Sequence, residues 1–414
     1  MGRDTRRSGP MLGAALASGF CASGVDVVSI GVAPTAAVSY LARKLGFGLG
    51  AVVSASHNPA EDNGIKFFGY DGRKLAGKLE LCIASSLGTI GRRPTGGEVG
   101  ELSLDRALID RYAEWLVSLA PDGLAGMKVA LDAANGAAFD LAPAILRRLG
   151  CEVSVVGDEP DGMNINLECG ATRPEKVQEF AVRERAHVGV SFDGDADRAV
   201  FCDELGRLIN GDRVMGAWCA HKVASREFEP RLAVGTVMSN GGLEDYLCGL
   251  GVNLERTQVG DKYVSERMSS TGALIGGEQS GHLIFAELGP TGDGIATAIE
   301  FLRVLRESSR PASSVYSDYE ALPQILVNVS IRSKDRWDSG PKVSAALKNA
   351  ETNLRECGRI VVRPSGTQPM IRVMVEARDY GTRDRVVEDI LAAMREEVGG
   401  KVYSRVDLTN ALGD

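Results

Sequence analysis

Three aspartates alternate in FDGDADRAVF, residues 192–201: Asp193, Asp195 and Asp197. Carboxylates held so close repel one another unless a cation lies between them. Hard oxygen donors of this kind suit Mg²⁺ or Ca²⁺. A calcium-binding helix–loop–helix would put Glu204 at its twelfth position, but its sixth position needs glycine and holds Arg198. AVFC reads as a strand, not as the exiting helix of such a motif. The alternative to a metal loop is a solvated acidic turn.

A second stretch, VVSASHNPAEDNGIKFF (52–68), starts as a strand and breaks into Ser54, Ser56, His57 and the Asn58-Pro59 turn. Turn chemistry accounts for Asn58-Pro59 and Asn63-Gly64. It does not account for a hydroxyl, an imidazole and Lys66 on one strand-end loop. A hydrolase built on Ser56 and His57 is disfavoured, since adjacent residues of an extended segment point to opposite faces. In GGEQSGHLIF (276–285), Glu278, Ser280 and His282 lie among glycines that let backbone approach a ligand. Glu278 and Ser280 suit sugar hydroxyls, and a glycine-rich turn is an equal explanation. Nearby, VGDKYV places Lys262 at a helix start. In RPSGTQPMIRV (363–373), Arg363, Ser365, Gly366, Thr367 and Arg372 make a donor-rich turn suited to an anion. No G-x-x-x-x-G-K-[ST] phosphate loop occurs in the chain.

The elements that must position these loops alternate between helix and strand. Helix 34–46 leads to strand 48–56, strand 127–134 to helix 137–150 and strand 151–157. Helix 174–186 precedes strand 187–195. Such alternation predicts α/β layers with largely parallel sheets. After about residue 324 the pattern changes to a smaller α+β unit. Turn-rich joins near 118–126, 203–212 and 306–324 divide the chain into units 1–119, 120–211, 212–320 and 321–414. The expected fold class is α/β: three successive mixed-sheet domains and a C-terminal α+β domain.

Composition agrees with a globular chain: 414 residues, 44% hydrophobic and 25% charged. A net charge of −8 argues against nucleic acid as the main partner. The eight cysteines include no C-x-x-C pair and read as reduced core residues of a cytoplasmic protein. The first 24 residues superficially resemble a secretory signal, but their Gly/Ala-rich run reads as an amphipathic helix from Pro10 to Ala22. No apolar run reaches the ~18 residues of a membrane span.

Together, SASHNP with NGIKFF, DGDADR, GEQSGH and RPSGTQP-x-x-RV resemble the α-D-phosphohexomutases, in that family's order and with about its spacing. Flanking text, LDAANGAA, GMNINLECGAT and PTGDG, also matches, and the resemblance runs from Gly2 to near the C-terminus. Within the family, GEQSGH with INxECGAT and TGDG resembles the members acting on glucosamine phosphate. The resemblance implies that Ser56 carries a phosphoryl group and Ser54 is structural. It implies Mg²⁺ held by Asp193, Asp195, Asp197 and a phosphoserine oxygen. His57 and Lys66 then transfer protons or stabilise charge, and Arg198 neutralises phosphate. Glu278, Ser280, His282 and Lys262 hold the sugar, and the Arg363–Arg372 turn holds the other phosphate. The implied partners are hexosamine phosphates and a second copy in a homodimer, with no nucleic acid and no membrane.

Alternatives are a glucose or mannose phosphate mutase, or a phosphosugar-binding chain without turnover. Two departures matter. Gln368 stands where the family usually has glutamate. The family also opens with a strand and an F-G-T-x-G-x-R-G loop, so roughly one β–α unit of ~30–40 residues would precede MGRDT. The expectation is a shortened form or a poor enzyme.

Overall fold

The computed structural model describes residues 1–89, 91, 93–316, 318–333, 337–365 and 369–412. The first unit comprises β1 (Gly2–Arg3), α1 (Gly9–Cys21), β2 (Val27–Ser29), α2 (Thr35–Leu45), β3 (Leu49–Val53), β4 (Ile65–Gly69), α3 (Gly77–Ser85), β5 (Leu102–Leu104) and α4 (Leu108–Ser118). β1 runs parallel to β3, and β3 antiparallel to β4; β2 and β5 pair separately. The second comprises β6 (Lys128–Asp132), α5 (Leu141–Arg148), β7 (Glu152–Val156), α6 (Glu175–Arg183), β8 (Val188–Phe192), β9 (Ala199–Asp203) and β10 (Leu208–Ile209). Its sheet order is β10-β9-β8-β6-β7.

The third holds α7 (Gly211–Ala224), β11 (Leu232–Thr236), α8 (Gly241–Gly249), β12 (Asn253–Thr257), α9 (Asp261–Thr271), β13 (Ile275–Gly277), β14 (Leu283–Phe285), α10 (Gly294–Ser308) and α11 (Ala312–Val315), with sheet order β12-β11-β13-β14. The last holds β15 (Gln324–Ser330), α12 (Pro341–Leu354), β16 (Gly358–Pro364), β17 (Met370–Ala377), α13 (Tyr380–Val398) and β18 (Lys401–Asp407), ordered β16-β17-β15-β18 and all antiparallel.

Local chemistry explains the helix ends. Asn210, Asn240, Asp293 and Asp379 cap α7, α8, α10 and α13 by accepting an N–H of the first turn, each cap contributing about 1 kcal/mol. Gly46, Gly272 and Gly399 close α2, α9 and α13 in the left-handed conformation.

One continuous apolar core runs through the first three units, from Ile30 and Val52 through Leu131 and Phe192 to Phe301. The fourth unit has its own core around Val327, Val373 and Ile390. It is latched to the third by Arg359, which binds Glu376 at 2.7 Å and the Val237 carbonyl at 2.6 Å.

The expectation of largely parallel sheets needs correction. Parallel pairs do fill the centres of the second and third sheets. An antiparallel strand follows on the side of each chemical loop: β3–β4, β8–β9, β13–β14 and β16–β17. Each loop with unusual chemistry is therefore a hairpin connection, which needs no long crossover. The cysteine reading also splits. Cys151, Cys169, Cys202 and Cys219 are buried, whereas Cys82 and Cys248 are exposed. Among the described residues no helix is long and apolar enough to cross a membrane.

Candidate active site

β3 delivers a buried strand end at Val53, and the chain turns out through Ser54 to Ser56. Ser56 adopts φ +53°, the left-handed region that a residue with a Cβ seldom enters. Its Oγ donates to Asp193 Oδ2 at 2.6 Å. Ser54 stands beneath the loop, accepting from the Ser56 N–H at 2.9 Å and donating to Asp4 Oδ2 at 2.7 Å.

Between β8 and β9 the metal-type loop turns tightly enough to bring all three aspartates together. Ligand oxygens of Asp193, Asp195 and Asp197 lie within 4.8 Å of one another, and all three residues are buried. Glu204, the twelfth residue of the calcium-loop alternative, instead binds Ser313. Lys66 on β4 reaches Asp195 Oδ2 at 2.6 Å and Asp197 Oδ2 at 2.9 Å. Burial works against its charge, but Asp195, Asp197 and Asp193 hold the ammonium protonated well above its ordinary range. Burial, then the charges of Asp197 and Asp195, push the Asp193 carboxyl up. Burial alone would raise Asp197 too, but Lys66, His282, Lys74 and Arg198 hold it far down.

Among the described residues, Asp195 Oδ1 and Asp197 Oδ1 are buried with no hydrogen-bond partner. Two orphaned anionic oxygens beside Asp193 are what a hard divalent cation would satisfy. The donor set therefore fits such an ion.

The cleft over this centre has a volume of about 250 Å³. Ser56, Lys66, Arg198, Glu278, Ser280 and His282 all line it. The Arg198 N–H donates to Asp193 Oδ1 at 3.1 Å. Glu278 Oε1 accepts the Gly260 N–H at 2.9 Å, fixing the turn before α9. His282 is buried, with Nε2 3.5 Å from Asp261 Oδ2. His57 follows Ser56 on the loop, half-buried and outside the cleft lining. Lys262 points into the neighbouring groove, 3.7 Å from Glu80. Arg363 and Arg372 face one another across β16–β17. Burial, then the charge of Arg372, lower Arg363, while Glu278 nearby raises it, which ties this pair electrostatically to the sugar-type loop. Ser365 is buried at the hairpin end. Gly366, Thr367 and Gln368 lie outside the described residues.

Sequence reading passed over several contributors. Thr35, the first residue of α2, donates its hydroxyl to Asp195 Oδ2 and its N–H to the Asp195 carbonyl at 3.0 Å. Lys74 and Asp261 pair with each other and both line the cleft. Arg6 and Asn166 hold the Ser56 loop from behind. The available signals were weak: a Pro-Thr helix start, an Asp beside the chosen Lys262, and the matching text GMNINLECGAT.

Four units that each present one hairpin loop, two of them meeting at a buried carboxylate cluster beside a cleft lined by residues of the first three, define a multidomain α/β protein. Models of phosphoglucomutase/phosphomannomutase α/β/α domains I, II and III match residues 1–93, 108–206 and 210–322, and that of the C-terminal domain matches 326–393. The chain belongs to this phosphohexomutase family. It is 45% identical over 391 residues to a phosphoglucosamine mutase of Desulforamulus reducens, covering 94% of this chain and 88% of that one. A phosphoglucosamine mutase of Desulforudis audaxviator is 46% identical over 399 residues, 96% of this chain and 89% of the other. Among solved structures, a phosphoglucomutase/phosphomannomutase family protein of Burkholderia thailandensis superposes with TM-score 0.79 at 25% identity, covering 97% and 90% of the two chains. The Aspergillus fumigatus N-acetylphosphoglucosamine mutase, solved with GlcNAc-6P and magnesium, shares the fold with TM-score 0.66 at 21% identity, covering 87% and 92%.

Proposed function

We propose that this protein is a phosphoglucosamine mutase, interconverting glucosamine 6-phosphate and glucosamine 1-phosphate through a phosphoserine at Ser56. The observation that carries the reading is the 2.6 Å contact between Ser56 Oγ and Asp193 in the buried triad. Nearly full-length relatives named for this activity support it.

In the forward direction the Ser56 phosphoryl group passes to the sugar 1-hydroxyl: the P–Oγ bond breaks, a P–O1 bond forms, and the hydroxyl's proton ends on the freed Ser56 Oγ. The resulting 1,6-bisphosphate turns over in the cleft. Ser56 Oγ then takes the 6-phosphoryl group, and glucosamine 1-phosphate departs. Transfer of this kind needs positioning and charge neutralisation more than covalent help. Mg²⁺ held by Asp193, Asp195 and Asp197 supplies Lewis-acid stabilisation of phosphoryl oxygens when bound. Lys66, within hydrogen-bond reach of Asp195 and Asp197 and lining the cleft, is placed to stabilise charge or transfer a proton. Arg198 offers a guanidinium beside Asp193. His57 remains the candidate to move a proton at the loop itself. Glu278, Ser280 and His282 hold ring hydroxyls and the amine, and Arg363, Ser365 and Arg372 hold the phosphate that is not reacting, with Gly366 and Thr367 as further donors. Lys262 is assigned an accessory role at the cleft's rim.

We divide the chain at 119/120, 211/212 and 320/321; the separate core of the last unit supports the third cut, whereas the matched family ranges part at 93–108, 206–210 and 322–326, so that the first cut lies inside the match to domain II. A cytoplasmic setting is supported by eight cysteines that all remain free.

The test is a coupled mutase assay on purified protein, run with glucosamine, glucose and mannose phosphates, beside intact-mass mapping of Ser56. A site that pairs one amine discriminates by a few kcal/mol, so glucosamine phosphate should have the highest kcat/KM. Equal kcat/KM for mannose phosphate would move the assignment to a general hexose phosphate mutase. Turnover retained in Ser56→Ala would refute the phosphoserine route.

A further inference from the structure

Ser56, Asn58 and Pro59 turn three backbone carbonyls toward the same side of their loop, where the oxygens would repel one another. Two side chains meet them. Arg6 donates Nη2 to the Ser56 carbonyl at 3.1 Å and to the Asn58 carbonyl at 2.8 Å, and Nη1 to Pro59. Asn166 donates Nδ2 to the same two carbonyls, at 2.9 and 3.0 Å. Each of those carbonyls thus uses both lone pairs.

The two arms differ in origin. Arg6 belongs to the first unit, like Ser56, and is anchored on buried Asp4 at 2.9 Å. Asn166 belongs to the second unit, which also carries the aspartate triad. Its backbone is itself left-handed, φ +58°, and its N–H is held by the Ala134 carbonyl at 2.9 Å. Ala134, also left-handed, is fixed by buried Asp132, which accepts the Ala134 N–H at 2.9 Å and the Gly170 N–H at 2.7 Å. Asn135 completes the mount by donating to the Asn164 carbonyl at 3.2 Å. LDAANGAA and GMNINLECGAT therefore form one rigid bracket whose outermost group is the Asn166 amide. That amide does not line the cleft and, among the described residues, donates to backbone oxygens alone.

We propose that Asn166 is a positioning residue: it holds the left-handed Ser56 backbone in register with Asp193 across the boundary between the two units. This rests on Ser56 being the phosphoryl carrier. The clamp grips carbonyls and leaves Oγ free to gain and lose its phosphoryl group.

Two variants test it without disturbing the backbone, because aspartate and glycine both tolerate a left-handed position. Asn166→Asp is isosteric but has no N–H and sets a carboxylate against two carbonyls. Asn166→Gly removes the amide outright. The expected result is a fall in kcat of about 10²-fold, the scale of a ~1 Å misplacement, with KM and melting temperature near those of the parent. Hydrogen exchange of the amides of residues 54–58 and 60 should quicken in both variants, since the loop loses one of its two arms. A kcat within about 2-fold of the parent in both variants, with Ser56→Ala inactive, would overturn the clamp and leave the phosphoserine reading intact. Loss of kcat in step with KM and melting temperature in both variants would also overturn it, marking Asn166 as support for the fold. An active Ser56→Ala would instead remove the reading on which the proposal stands.

Discussion

Gly194, between the first two aspartates, sits where the metal-type loop presses on the Ser56 loop. A Cβ there would lie 2.5 Å from the Ser56 carbonyl oxygen, 2.7 Å from Asn166 Nδ2 and 2.8 Å from Ile165 Cδ1. Ordinary contact begins at 3.4 Å, so the Ser56 oxygen would have to retreat by roughly 1 Å. It cannot do so alone, because Arg6 and Asn166 both hold it. Gly194 is equally confined, with its own carbonyl accepting the Ala137 N–H at 2.8 Å. Gly194 is not among the positive-φ glycines, so the effect of a methyl group there is steric and not conformational. Gly194→Ala should therefore cost about 1–3 kcal/mol of stability by overpacking. It should also open the 2.6 Å contact of Ser56 Oγ with Asp193, lowering kcat by ~10²-fold or more. Initial rates at saturating sugar phosphate and thermal unfolding would measure the two effects. Gly13→Ala on α1 is the control, since none of the described residues lies within 4 Å of its new methyl, and it should leave the rate unchanged. Gly194→Ala at parental kcat would refute the argument that the two loops act in fixed contact.

Asp195→Asn should abolish Mg²⁺-dependent turnover, at a cost of several kcal/mol of charge stabilisation, and remove any Mg²⁺-induced rise in melting temperature; activity in excess chelator equal to that in Mg²⁺ would rule out the metal role. Thr35→Val keeps shape but deletes the donor to Asp195, so Mg²⁺ affinity by calorimetry should fall about 10–100-fold, while Thr35→Ser should restore it. Burial pushes the Asp293 carboxyl up to about 6, against bonds from the Ala296 N–H and Tyr112 hydroxyl. A carboxyl that binds its proton more tightly when folded adds stability that is complete below its unfolded value near ~4 and lost as pH rises through its folded value. Relative to Asp293→Asn, the parent should thus lose about 3 kcal/mol of unfolding free energy across that window, and parallel denaturation curves at both ends of it would contradict the assignment.

How much of the fold was legible follows from where each signal resides. The strands of the second and third sheets carry short apolar runs, such as VALD at 129–132 and LAVGT at 232–236, and these are buried as their pattern implies. The helix read at 34–46 is found at Thr35–Leu45, with Pro34 before it and left-handed Gly46 closing it, whereas the Asp379 cap of α13 was not read from the sequence. Strand direction was not legible, because alternation of helix and strand specifies parallel pairing only where a helix intervenes. β3 and β4 have none between them, nor do β8 and β9 or β13 and β14. The same turn residues that broke the helix–strand alternation also reversed the chain.

The site divides along a similar line. Ser56, the three aspartates, Glu278 and the Arg363–Arg372 hairpin lie in contiguous loops, and each loop's composition departs from what a turn requires. Thr35, Arg6 and Asn166 act through contacts 160, 50 and 110 residues away in sequence, and each has an adequate local explanation as a helix start, a surface arginine or a polar loop residue. At the start of α9, Asp261 and Lys262 are neighbours, yet successive helical residues point about 100° apart. Asp261 therefore reaches the cleft and Lys262 the groove beside it. A sequence motif marks which loop bears chemistry; which atom within it faces the reaction depends on backbone angle. At Ser56 that angle is left-handed, and it persists because Ser54, Arg6 and Asn166 bind the loop's backbone on either side of the hydroxyl that meets Asp193.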